Sequence, residues 1–111
     1  MTVSELYALP GLTLLNDGGN GEDELTDVYC CDLLSCVMGN APAGCAWVTV
    51  MNNINTLAVA SLTECAAVIL AEDVQADAAL IAKAAAQDIT LLRAEKPVFP
   101  TALAIHQAMQ G

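Results

Sequence analysis

The stretch Met51-Asn52-Asn53-Ile54-Asn55-Thr56 holds four uncharged hydrogen-bonding side chains within five residues: Asn52, Asn53, Asn55 and Thr56. Each amide offers donors and an acceptor, so the group suits a hydrogen-bonded ligand or a subunit contact. A helix start needs only one of them as a cap. With Ile54, Leu57, Ala58, Ser61 and Leu62 as the core stripe of a helix over Ile54 to Glu64, residues Asn55, Thr56, Val59 and Thr63 share its outward side. A solvated helix on so acidic a chain should carry charge there. Asn52, Asn53, Asn55, Thr56 and Val59 are therefore the first candidate for a ligand or interface site.

Cysteine chemistry is the second candidate. Cys31, Asp32 and Ser35 fall at a strand-to-helix turn, where a helix N-terminus can lower a thiol pKa. Cys30, Cys31 and Cys36 could suggest a redox or iron–sulfur accessory protein. Adjacent residues of a strand face opposite ways, so such a cluster would have to be shared between subunits. Cys31 with His106, the only histidine, would make a nucleophilic dyad, but no motif stands behind it. Five cysteines without a Cys-x-x-Cys pair indicate neither a disulfide framework nor a zinc knuckle, and buried small apolar thiols are the plainer reading. No catalytic or metal-binding residue and no cofactor is expected. The loop Asp17 to Glu24 has neither the Gly-Lys-Ser/Thr ending of a phosphate loop nor calcium-loop spacing, and reads as solvated and mobile.

The elements that must hold these residues follow from local signals. Thr2 caps a helix to about Leu9, stopped by Pro10-Gly11, and Leu12 to Leu15 is a strand. Val28 to Cys31 is the next strand, after which Asp32 caps a helix carrying Leu33, Leu34, Val37 and Met38. Strands over Ala46 to Met51, Ala66 to Leu70 and Ile89 to Leu92 alternate with helices over Ile54 to Glu64 and Asp77 to Gln87. A last helix begins after Pro97, with Ala102, Ile105 and Met109 spaced for burial. Strands alternating with helices of about ten residues imply right-handed crossovers. The class is α/β, a three-layer α/β/α fold around a mostly parallel sheet of about five strands. Ligands of such sheets gather at the carboxyl ends of the strands, where Asn52 to Thr56 lies.

Bulk properties bound the partners. With 111 residues, 56% of them hydrophobic, residues 1–111 are read as a single domain. Thirteen acidic against three basic residues, a formal charge of −10, disfavour nucleic acid and anionic membranes. The N-terminus lacks a signal peptide, and the longest apolar run, Cys65 to Ala71, is far short of a spanning helix, so a cytoplasmic protein is expected. Apolar side chains in excess of one small core predict a homodimer.

The turns Cys31-Asp32-Leu33-Leu34-Ser35 and Met51-Asn52-Asn53-Ile54-Asn55-Thr56, with Ala58-Val59-Ala60-Ser61-Leu62 and Val68-Ile69-Leu70-Ala71-Glu72, give the chain a resemblance to the DRTGG domain family. It is similar to small stand-alone members, and more distantly to the N-terminal domain of HPr kinase/phosphorylase. The resemblance implies a non-catalytic regulatory or assembly module, because relatives are attached to CBS-pair pyrophosphatases and phosphate acetyltransferases. It implies a partner enzyme or a small-molecule or nucleotide ligand, and a genomic context of iron hydrogenase or electron-transfer systems. Kinase activity is not implied, since that belongs to a separate phosphate-loop domain. By position the family's Asp-Arg pair falls near Asn52-Asn53 and its Thr-Gly-Gly near Ala71-Glu72-Asp73. Here amides and acids replace them.

Overall fold

The computed structural model describes residues 1–111. In chain order the elements are α1 (Val3–Tyr7), β1 (Leu12–Asn16), β2 (Val28–Cys30), α2 (Leu34–Asn40), β3 (Ala46–Thr49), α3 (Ile54–Thr63), β4 (Ala67–Leu70), α4 (Ala78–Ala86), β5 (Leu91–Ala94) and α5 (Val98–Gln110). The strands form one sheet in the order β1-β5-β4-β3-β2. The α/β class and the mostly parallel five-stranded sheet agree with the expectation. β2, β3, β4 and β5 run parallel, and β1 alone pairs antiparallel, against β5.

Every residue of β3 and β4 is buried, as a strand covered on both sides requires. Side chains alternate between two clusters. On one face Ala46, Val48, Ile69 and Leu92 meet Val3 and Leu6 of α1 and Ile105 of α5. On the other Trp47, Val68, Leu70 and Leu91 meet Val37 of α2, Leu57 and Ala60 of α3, and Leu80 and Ala84 of α4. The helices thus divide into a layer of α1 and α5 and a layer of α2, α3 and α4. No helix is long and apolar enough to cross a membrane.

Three local expectations are corrected. First, α3 is turned: Thr56 and Val59 are buried, at 1% and 6% exposure, while Ile54 and Leu62 stand out at 56% and 70%. The helix is apolar nearly all round, so periodicity discriminates weakly between faces. Burial of Thr56 costs little, because its Oγ1 donates to Met51 O at 2.7 Å, and the half-buried Thr63 likewise donates its Oγ1 proton to Val59 O at 2.8 Å.

Second, Asp32 caps no helix. α2 begins at Leu34 behind Leu33, without a side-chain cap, while Asp32 Oδ1 accepts from Thr49 Oγ1 at 2.7 Å and from Val50 N–H at 3.0 Å. Third, the glycine-rich loop is a pinned strap. Asn16 Nδ2 donates to Ile89 O, Gly18 N–H to Thr90 Oγ1 and Asn20 Nδ2 to Ala66 O, all at 2.9–3.0 Å. A Cβ on Gly18 would lie 2.6 Å from the Thr90 nitrogen, so only glycine lets the strap approach so closely.

Candidate functional site

The carboxyl edge of the parallel strands is where the turns into α3, α4 and α5 meet. Asn53 ends the turn after β3 as the N-cap of α3, with Oδ1 accepting from Asn55 N–H at 2.9 Å. Asn52 uses Nδ2 to reach Gln75 O at 2.8 Å, which ties this turn to the one after β4. Asp77 caps α4, its Oδ1 accepting from Leu80 N–H at 2.8 Å. Between the two helix starts lies a shallow cleft of about 260 Å³, lined by Asn52, Asn53, Ile54, Asp77, Ala79 and Leu80. Asn52 Oδ1, Asn53 Nδ2 and Asp77 Oδ2 make no bond within the chain.

Of the predicted amide group, Asn52 and Asn53 are therefore brought together at this cleft. Asn55 lies exposed on the outer side of α3. Thr56 and Val59 belong to the core and leave the site. Asp77 was missed, although its place before an alanine-rich helix marks it as a cap; only folding shows that two caps flank one cleft.

The expected crevice lies one strand further along. α2, α3 and α4 cover one face, but α5, which follows β5, crosses to the other. The chain therefore parts between the carboxyl ends of β4 and β5, the geometry at which open α/β sheets form binding crevices. Here the chain fills that place itself. Glu72 N–H donates to Lys96 O at 2.8 Å, Asp73 N–H to Ala94 O at 3.0 Å, and the Asp73 carboxylate pairs with Arg93. Glu72 Oε2 accepts from Val98 N–H at 3.0 Å, so a carboxylate already occupies the start of α5. Glu72 and Asp73 have φ of +61° and +56°, a left-handed course that favours glycine. They stand where the resemblance puts the two glycines of Thr-Gly-Gly.

The predicted cysteine sites do not assemble. Cys31 is half-buried beside the α2–α3–α4 layer, its thiol donating to Leu33 O at 3.7 Å. His106 lies on the other side of the sheet, lining an apolar groove with Val28, Cys30, Phe99, Ala102 and Leu103. Cys31 and His106 thus form no dyad. Cys30 is exposed, but desolvation, and then the nearby Asp32 carboxylate, hold its thiol above the ordinary pKa, so it is a poor nucleophile as well. Cys36 and Ser35 are exposed on α2. No three His, Cys, Asp or Glu side chains are grouped to hold a metal ion.

Among solved structures the chain is similar to the CBS and DRTGG domains of the regulatory region of Clostridium perfringens pyrophosphatase, in complex with its activator, diadenosine tetraphosphate. The TM-score is 0.68 at 13% sequence identity, over 87% of this chain and 42% of that one. The likeness shows a DRTGG-like α/β fold. The chain spans less than half the length of that structure. No protein-family model matches the chain, and no curated protein does.

A further contact was not foreseen. At the opposite, amino edge of the parallel strands, Cys45 and Cys65 bring their sulfurs to 3.6 Å. Their sequence signal was present but slight: each thiol stands just before a buried strand, and those strands are neighbours.

Proposed function

We propose that this chain is a non-catalytic regulatory module of the DRTGG type, a homodimer that takes a small ligand in the cleft between the starts of α3 and α4. The observation that carries this reading is the cleft itself. Ligand sites combine an apolar floor with a few polar groups, and here Ile54, Ala79 and Leu80 lie beside the free polar atoms of Asn52, Asn53 and Asp77. No basic residue lines it, and Asp77 brings negative charge to a chain already at −10. A neutral or cationic ligand fits these groups; a polyphosphate is repelled.

The relative of similar fold is bound to a nucleotide activator, which supports a regulatory reading and makes nucleotides the natural competing class. The carboxylate of Glu72 at the start of α5 argues against an anion at the neighbouring crevice too. Self-association is supported by the outer side of α2 and α3, where Leu33, Met38, Ile54 and Leu62 are exposed and neither helix contains a charged residue.

A thermal-shift screen of uncharged and cationic metabolites against mono-, di- and polyphosphate nucleotides tests the ligand class. A true ligand at 100 times its Kd should stabilise the fold by about 2.7 kcal/mol. Asn52→Ala, which removes a single bond to Gln75 O, should abolish that shift. A shift given only by polyphosphates, or one that Asn52→Ala leaves unchanged, would move the ligand elsewhere.

A further inference from the structure

Cys45 directly precedes β3, and Cys65 lies two residues before β4. The pairing of Ala46 with Ala67 sets these strand starts side by side, and Ala66 N–H donates to Cys45 O at 2.8 Å. Two reduced thiols from neighbouring strands thereby face each other across 3.6 Å. The pair is unequal. Cys45 is fully buried, whereas Cys65 is only partly buried.

Hydrogen bonds sharpen the difference. The Cys45 S–H donates to the Cys65 sulfur, and Thr63 Oγ1 lies 3.1 Å from that same sulfur. The Cys45 bond favours the Cys65 thiolate and lowers its pKa against the opposing effect of burial, while the Thr63 proton is already engaged by Val59 O. The same bond, with burial and a negative neighbour, drives the Cys45 thiol strongly upward. The pair gives up its first proton readily and its second with difficulty.

We propose that Cys45 and Cys65 form a dithiol–disulfide site that reduces a hydroperoxide, with Cys65 attacking and Cys45 resolving. In the first step the Cys65 thiolate attacks the terminal peroxide oxygen. A sulfur–oxygen bond forms, the O–O bond breaks, and the departing alkoxide or hydroxide takes up a proton. In the second step the Cys45 sulfur attacks the resulting sulfenic sulfur. Hydroxide leaves with the Cys45 proton as water, and the S–S bond forms. One hydroperoxide and two thiols become one alcohol or water, one further water and one disulfide, with two electrons passing from sulfur to oxygen. The sulfurs must close from 3.6 Å to about 2.05 Å, a short movement between strand starts already held by backbone bonds.

The test uses the full chain with Cys30, Cys31 and Cys36 replaced by serine, alongside the unaltered protein, and hydrogen peroxide as the probe. Glu64 is the only glutamate between the two thiols, so cleavage after glutamate separates Leu25–Glu64 from Cys65–Glu72. The expected result is a mass loss of two hydrogens, these two fragments joined until reductant is added, and a higher Tm of the joined form. In the unaltered protein Cys65 should be consumed before the exposed Cys36. Should Cys65 instead end as sulfinic acid with Cys45 free, or should the fragments join only in urea, the proposal fails. Cys45→Ser supplies a second measurement, in which Cys65 should stop at a sulfenic acid that a cyclic diketone traps; trapping at Cys36 and not at Cys65 would also overturn it.

Discussion

Thr49, fully buried at the end of β3, gives its hydroxyl proton to Asp32 across the β2–α2 turn, at 2.7 Å. The same carboxylate oxygen accepts from Val50 N–H, so one side chain fastens two neighbouring turns of the carboxyl edge. Asp32→Ala would strand a buried hydroxyl and a backbone donor together. A loss of about 2 kcal/mol is expected, above the roughly 1 kcal/mol of a simple cap. Thr49→Val in that background should recover part of it, and urea unfolding of the two variants measures the difference.

The turned α3 places Ile54 and Leu62 in solvent. Replacing both with aspartate should leave stability within about 0.5 kcal/mol per site, as for other exposed positions, yet convert the proposed dimer to a monomer at tens of micromolar. Equilibrium sedimentation decides. A wild-type monomer, or a dimer indifferent to both charges, would remove this interface.

Glu64 ends α3 with φ of +58°, and its N–H closes on Ala60 O and Ser61 O. Glycine is the residue favoured at such a helix end. Relief of the left-handed penalty outweighs the extra freedom of the unfolded chain by a small margin. Glu64→Gly is therefore expected to raise stability by about 0.5 kcal/mol, seen as a Tm higher by a few degrees.

The Cys65 thiolate is favoured by the Cys45 S–H, so alkylation of this thiol should rise with pH through a midpoint below that of an ordinary cysteine. The sign follows from the lowered pKa: the reactive form persists above the midpoint and is lost as pH falls through it. Asp27 is the carboxylate whose field reaches the partner thiol Cys45, and it opposes ionisation there. Cys45→Ala, which removes the S–H that donates to the Cys65 sulfur, should raise the Cys65 midpoint and slow alkylation at neutral pH. Iodoacetamide rates across pH, in the Cys30, Cys31, Cys36 serine background, give both midpoints.

How far the sequence carries can be seen residue by residue. The strands Trp47-Val48 and Val68-Ile69-Leu70 announce themselves because a parallel sheet covered on both sides needs unbroken apolar runs. Asn53 as a cap follows from chain order alone. α3 misleads because Ile54 and Leu62 outweigh Thr56 on any hydropathy scale, while the hydrogen bond that makes Thr56 acceptable in a core is invisible until the turn of Met51 is placed. Asp32 and the Cys45–Cys65 pair are of another kind. Their partners lie 17 and 20 positions away, and strand register alone brings them within reach.

The antiparallel pairing of β1 with β5 bears on the order of events during synthesis. Leu12 pairs with Ala94 and Leu14 with Leu92, so a strand made among the first residues has no partner until β5 has been translated. β5 then enters between two elements that already exist, β4 on one side and β1 on the other. Contacts of such long sequence separation are slow to form, because the intervening loop must close first. On the ribosome, β2 to β4 with their helices can gather while Leu12–Asn16 waits as an open edge, a state exposed to chaperones and to pairing with other nascent chains.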